Sequence, residues 1–356
     1  MRRLNKKIVF ITPSLETGGS EKIIMFLLKR MKELGFNTQL IVIGGIQNKN
    51  NTLHATEIIY LNKKKFRNGI IALYKSLRKT NADILFSSVV HINLFLGFYK
   101  VWFPKIKCVA RISSIVSKSE KSSNTNVILK RFKNLLLKKI DFLVYQSKDM
   151  KEDFEAIFPK VKVPHQIINN PVITPIVEMN KMTYADSKVR FITVGSLTCI
   201  KGHKRILESL QNFDADFVYE IYGKGNQKNN LEKLAVKLKL QTKVDFKGEV
   251  PFTHKSIKSP NTFYLLGSYF EGFPNAVIEA LSFGVPVIAF QAPGGQNEII
   301  VSGFNGFFAH TKEDYRNQIL KSIQQKWEKN KIVKDIYHRF DAQKIAIQYK
   351  ELFQNL

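Results

Sequence analysis

Residues 263–290 restrict the fold more than any other part of the chain. They read Phe-Tyr-Leu-Leu, then Gly267-Ser-Tyr-Phe-Glu271-Gly-Phe-Pro-Asn275, then Ala-Val-Ile-Glu279-Ala-Leu-Ser-Phe, then Gly284-Val-Pro-Val-Ile-Ala-Phe290. The opening four apolar residues have the profile of a buried parallel strand. Gly272 and Pro274 break regular structure, and Asn275 is a good helix N-cap. Residues 276–283 then read as a helix that packs through Ala276, Val277, Ala280 and Leu281. Gly284 stops it, Pro286 follows, and residues 287–290 form the next strand. A strand–loop–helix–strand unit of this kind belongs in an α/β sheet. It puts Glu271 and Glu279 near the carboxyl end of a strand, where open α/β sheets bind ligands.

The same grammar runs through the chain. A strand over residues 8–11 feeds the loop Ser14-Leu-Glu-Thr-Gly-Gly-Ser-Glu21 and a helix from about 21 to 34. Ile23, Ile24, Leu27, Leu28 and Met31 recur there at helical spacing. Gly18 and Gly19 let the backbone approach a ligand, and the helix N-terminus offers N–H groups to an anion. Further strands are expected over 38–44, 83–86, 107–112 and 142–145, so the first half is doubly wound. In a helix over 68–79, Ile70, Ile71, Tyr74 and Leu77 share one face, which reads either as core packing or as a basic amphipathic helix on anionic lipid. Asn169-Asn-Pro171 closes this half. A linker of mixed polarity over 172–187 leads to strands at 191–194, near 217 and at 244–248.

At 356 residues the chain has room for two domains. Its two cysteines, Cys108 and Cys199, cannot build a disulfide framework. The apolar run at 8–11 is too short for a signal-peptide core, and polar residues interrupt 86–103, so no membrane span is expected. The protein is expected in the cytoplasm, or peripheral on the inner face of the cell membrane. Formal net charge is +27, of which residues 1–172 hold +20 and residues 173–356 hold +7. Such a field attracts nucleic acid, anionic lipid or a phosphate-bearing substrate, and it also arises from a lysine-rich surface without a partner. Nucleic acid is the weakest of these, since neither stacking platforms nor a helix–turn–helix pattern is present. Asp214-Ala-Asp216 has the spacing of a metal-binding motif but reads as the turn before a strand, so no metal is expected.

The Glu271–Glu279 stretch resembles the signature of retaining, nucleotide-sugar-dependent glycosyltransferases of family 4, of the bacterial surface-polysaccharide type. The resemblance rests on two glutamates separated by seven residues, on Gly284-Val-Pro-Val287, and on Gly294-Gly-Gln-Asn-Glu298. Gly18 and Gly19 are similar to the family's loop beneath the donor and acceptor sugars, and Tyr222-Gly-Lys-Gly225 is also family-like. The resemblance implies the GT-B fold, two Rossmann-like doubly wound parallel-sheet domains facing across a cleft. It divides the chain into an acceptor domain, 1–172 joined by a returning helix at about 340–356, and a nucleotide-sugar domain, 173–339. In the final helix Ile345, Tyr349, Leu352 and Phe353 share a face.

The resemblance also assigns roles. Glu271 holds the donor sugar's hydroxyls and His91 reaches the donor sugar, both as catalytic residues. Glu279 accepts hydrogen bonds from the ribose. Gly18, Gly19, Ser196, Lys201, Gly223, Gly225, Phe273, Pro274 and Asn275 line the donor. Lys201, Gly294 and Gly295, with Gln296, meet the diphosphate, whose growing charge needs fixed cations and N–H dipoles. Arg111 faces the cleft on the acceptor side. The family carries an Arg where this chain has Ser196, so half of the usual diphosphate clamp is missing, with Lys204 or Arg205 the nearby candidates to replace it. The implied activity is sugar transfer from a nucleotide diphosphate sugar, a UDP-hexose or UDP-N-acetylhexosamine, to an acceptor hydroxyl. The acceptor is a glycan or a lipid-linked carrier, and no cofactor is needed. Alternatives are a nucleotide-sugar epimerase of the same fold, which needs no acceptor, and a nucleic-acid-binding protein.

Overall fold

The computed structural model describes residues 6–15, 18–45, 57–118, 127–176 and 185–356. The chain divides into two compact units, Met1–Pro171 with Ala342–Leu356, and Val172–Asp341. Each is an α/β unit on one fully parallel sheet.

In the first unit the strands are β1 (Lys7–Thr12), β2 (Asn37–Val42), β3 (Glu57–Tyr60), β4 (Ile84–Ser87), β5 (Lys107–Ile112), β6 (Phe142–Tyr145) and β7 (His165–Ile167). Their order is β3-β2-β1-β4-β5-β6-β7. The central strands are apolar along their length because helices cover both faces. The helix Gly19–Glu33 buries Ile23, Ile24, Leu27, Leu28 and Met31, as their spacing predicts. The helix Ala342–Asn355 buries Ile345, Tyr349, Leu352 and Phe353. The Phe353 ring meets Phe10, Phe36 and Phe86 edge-on, and its carbonyl oxygen accepts from Lys6 Nζ.

Two expectations change here. The helix Phe66–Lys79 buries Gly69, Leu73 and Leu77, while Ile70 and Ile71 face solvent, Ile71 being 71% exposed. Two apolar rows spaced by three and four residues compete on that helix, and the row with the glycine is the one that approaches the sheet. Arg111, expected to face a cleft, is instead fully buried at the end of β5. It donates from Nη2 to Asn170 Oδ1 and, at 3.4 Å, from Nη1 to Ser88 Oγ. Burial lowers its pKa. Arg111 ties β5 to Asn170, near the end of the unit's continuous stretch.

In the second unit the strands are β8 (Val189–Val194), β9 (Phe217–Tyr222), β10 (Val244–Gly248), β11 (Thr262–Leu266), β12 (Val287–Phe290) and β13 (Gly306–Ala309), in the order β10-β9-β8-β11-β12-β13. Phe191 of β8 sits in register with Phe263 of β11. Phe191, Phe213 and Phe217 form an aromatic cluster within the core. The key helix spans Asn275–Ser282, so Asn275 is its first residue rather than its cap; Pro274 holds the cap position. Asp214 and Asp216 lie on an exposed turn before β9, and Asp216 pairs with Lys188 at 3.4 Å.

Candidate functional site

The second sheet grows from β8 to β9 and β10 on one side, then returns to place β11 on the other side of β8. The boundary between β8 and β11 is the topological switch point, where the loops leaving the two strands diverge and leave a crevice. Gly195 to Gly202 leave β8, and Gly267 to Pro274 leave β11. The two loops touch backbone to backbone. Gly202 has φ +62°, and a Cβ there would lie 1.7 Å from the Gly267 carbonyl oxygen. Only glycine fits, for both conformation and space.

That contact brings Lys201, on the short turn Cys199–Lys201, against Glu271. Lys201 Nζ lies 2.7 and 2.9 Å from the two Glu271 carboxylate oxygens, and Ser268 Oγ donates to one of them. The carboxylate is mostly buried, while the lysine remains partly open to solvent. A charge-assisted pair of this kind is held by geometry rather than by long-range attraction. The loop after β12 closes on the same residue. Glu271 N–H donates to Pro293 O at 3.0 Å, Gly295 N–H donates to Gly272 O at 2.7 Å, and a Cβ on Gly294 (φ +124°) would lie 1.9 Å from Glu271 O. Gly223, after β9, passes equally close to Gly195.

Glu279 is buried on the Asn275–Ser282 helix. Tyr264 of β11 donates from its hydroxyl to Val194 O at 3.0 Å. Burial raises its pKa, and the fields of Glu271 and Glu279 add to the rise. Phe273 is buried, its ring edge-on to Phe340 at 5.6 Å, so it supports the loop from beneath.

Sequence reading missed four features here. Ser268 reads as the end of a strand but holds Glu271. Arg205 does not replace the missing arginine. It donates to Gly267 O and Ser268 O, and its guanidinium lies 4.1 Å from both the Tyr269 and the Phe290 ring centroids. It braces the end of β11 instead. Lys204 points to Glu208, at 3.9 Å. His203 is buried with its Nε2 3.2 Å from Ser196 O, and burial pulls its pKa down to about 4. It is therefore neutral at pH 7, with Nε2 as the donor.

In the first unit the switch point lies between β1 and β4. Gly18 precedes the Gly19–Glu33 helix, and the Glu21 carboxylate folds back to within 2.1 Å of where a Gly18 Cβ would sit. His91 is the second residue of the helix Val90–Trp102, beyond the strand end. Its ring centroid lies 4.6 Å from that of Phe66, and partial burial lowers its pKa. Apart from Arg111, buried at the end of β5, the predicted site residues lie at or beside the two switch points, one in each unit.

Residues 178–339 match the model of a family described as glycosyl transferases group 1. That match spans most of the second unit. Along most of its length the chain is 25% identical to an uncharacterized glycosyltransferase of Haemophilus influenzae, over 85% of both chains. It is 24% identical, over 96% of this chain and 97% of the relative, to the Campylobacter jejuni N-acetylgalactosamine-N,N'-diacetylbacillosaminyl-diphospho-undecaprenol 4-alpha-N-acetylgalactosaminyltransferase. Among solved structures, HepE of Anabaena in complex with UDP covers 98% of this chain and 100% of its own, with TM-score 0.78 and 16% identity. The fold is that of the GT-B glycosyltransferases.

Proposed function

We propose that the protein transfers a sugar from a nucleotide diphosphate sugar, a UDP-hexose or UDP-N-acetylhexosamine, to an acceptor hydroxyl with retention of configuration. The observation that carries this reading is the Lys201–Glu271 pair at the second sheet's switch point, with Glu279 on the adjoining helix. Glu279 accepts the ribose hydroxyls. Glu271, preorganised by Ser268, accepts hydroxyls of the donor sugar. Lys201 offers its remaining N–H bonds to the diphosphate as the glycosidic bond breaks, together with the N–H groups of Gly294, Gly295 and Gln296. The diphosphate itself takes the acceptor's proton in a front-face displacement, with no metal or cofactor. Ser196, Gly223, Gly225, Phe273, Pro274 and Asn275 shape the donor pocket, and Gly18, Gly19 and His91 also act in donor binding.

The acceptor proposed is a lipid-linked or surface glycan in polysaccharide assembly, reached from the inner face of the cell membrane. The Campylobacter relative, whose name specifies a diphospho-undecaprenol acceptor, and the basic first half both support it. The test is a panel of nucleotide sugars read by thermal shift. A cognate donor at 100 times its dissociation constant stabilises the fold by about 2.7 kcal/mol. Turnover should require an acceptor; turnover without one would make the enzyme an epimerase, and no response to any nucleotide sugar would refute the reading.

A further inference from the structure

On one face of the first sheet lie three helices in a row: Phe66–Lys79, Val90–Trp102 and Val127–Leu137. Right-handed crossovers place them on the same side. Phe66 packs on Phe95 and Tyr74 on Tyr99, joining the first two. The second and third touch at Gly97, where a Cβ would lie 2.2 Å from Leu136 O.

The third helix is inverted relative to an ordinary surface helix, which turns its apolar stripe inward. Ile128, Leu129, Phe132 and Leu135 are exposed, with Ile128 at 73% and Phe132 at 52%, while Lys130 and Lys133 are half-buried. The end of the second helix continues the pattern with Phe98, Val101 and Trp102, the last 66% exposed. Ile71 does the same on the first helix. Large aromatic and aliphatic side chains are thus presented to solvent by neighbouring helices, an arrangement that soluble surfaces avoid unless something covers it.

Charge says what covers it. The three helices contain no Asp or Glu, and their exposed cations include Arg67, Lys75, Arg78, Lys79 and Arg131. Lys105, Lys138 and Lys139 extend the basic margin. Apolar wedges ringed by cations suit the boundary of an anionic bilayer, with rings at headgroup depth and ammonium groups on lipid phosphates. No helix among the described residues is long and apolar enough to cross a membrane. We propose that this face is a docking surface for anionic lipid, with Trp102, Phe132 and Leu135 entering the headgroup layer. The proposal deepens the membrane part of the function proposed above, and it relocates the apolar anchor from Ile70–Leu77, whose row is partly in the core, to the two following helices.

The experiment is sedimentation of the full chain with vesicles of phosphatidylcholine alone or with phosphatidylglycerol. Binding should require phosphatidylglycerol and fall steeply in high salt as the Debye length shrinks. The triple variant Trp102→Ser, Phe132→Ser, Leu135→Ser should bind at least roughly tenfold more weakly. Arg131→Ser, Lys138→Ser, Lys139→Ser should together lose roughly a hundredfold, at roughly fivefold per cation. Val236→Ser, an exposed apolar position in the second unit, should lose nothing. The chain has two tryptophans, so with Trp327→Phe the emission of Trp102 should shift to the blue on anionic vesicles alone. Unchanged circular dichroism and an unchanged nucleotide-sugar thermal shift in the triple variant would show that it folds. Equal binding on both vesicle types, no binding, or full binding by the triple variant would overturn the proposal. So would self-association that the triple variant abolishes without any vesicle binding, which would make the face an interface between copies. Failure of the donor panel with vesicle binding intact would refute the transferase reading and leave the docking surface standing.

Discussion

The two switch points share one topology and differ in nearly everything else. In each sheet the chain lays down three strands to one side, then crosses to the far side of the first. In the second unit the crevice is occupied by built chemistry: an ion pair, a hydroxyl that supports it, and glycines without which the loops could not meet. In the first unit the Glu21 carboxylate lies beside Gly18, and His91 rests on Phe66. Topology supplies a place for a ligand, and the residues at that place decide whether it is preorganised.

The largest test of that contrast is on catalysis. Glu271→Ala should lower kcat by about a thousandfold, equivalent to about 4 kcal/mol, with donor affinity changed much less. Glu279→Ala should instead weaken nucleotide binding by about tenfold. Steady-state kinetics with competition by UDP separates the two, and near-wild-type kinetics in both variants would remove the second switch point from the chemistry.

Backbone fit gives the next largest effect. Gly202→Ala puts a Cβ against a carbonyl oxygen at positive φ, and should cost about 3 kcal/mol or more. Gly18→Ala meets only the movable end of Glu21 and should cost less than about 1 kcal/mol. Denaturant melts of the two variants compare them directly. Equal costs would mean that the second crevice is no more tightly built than the first.

Proton linkage sharpens the same comparison. Burial holds the folded-state pKa of His203 at about 4, below its ordinary 6.5. The stability linked to its neutral ring is fully present above pH 6.5 and is lost as pH falls toward 4. The total approaches about 3 kcal/mol. His203→Gln, which keeps a donor for Ser196 O, should flatten the stability profile across that window. His91→Gln in the first unit should change it far less. The smallest expected effect is that of EDTA, which should leave activity unchanged. Activity lost to EDTA and restored by Mg²⁺ or Mn²⁺ would make Asp214 and Asp216 ligands after all.

Much of the fold was legible because its signals are local. The strand Val287–Phe290 and the stop at Gly284 follow from a few adjacent residues, and the core stripes of Gly19–Glu33 and Ala342–Asn355 follow from period alone. What could not be read depends on distant partners. Lys201 and Glu271 are seventy residues apart, and nothing in either neighbourhood announces a bond between them. Arg111 looks the same on paper whether it ends in a cleft or in a core, and its partner Asn170 lies 59 residues away in the sequence. Arg205 resembles a spare cation for phosphate until the strand-end carbonyls of Gly267 and Ser268 are seen to claim it. On Phe66–Lys79 two apolar rows are equally periodic, and only the sheet beneath selects one.

The return of Ala342–Asn355 to the first sheet sets an order of events during synthesis. Phe353 completes an aromatic cluster with Phe10, Phe36 and Phe86, so the first unit has a gap in its core until residues made after the whole second unit have emerged. The second unit needs no such late arrival, because all its strands are continuous in the chain between Val172 and Asp341. It can condense first, as an insert within an unfinished neighbour, while Phe10 and Phe86 wait with exposed rings. For that interval the basic, apolar-faced half of the protein is the one that most needs a chaperone.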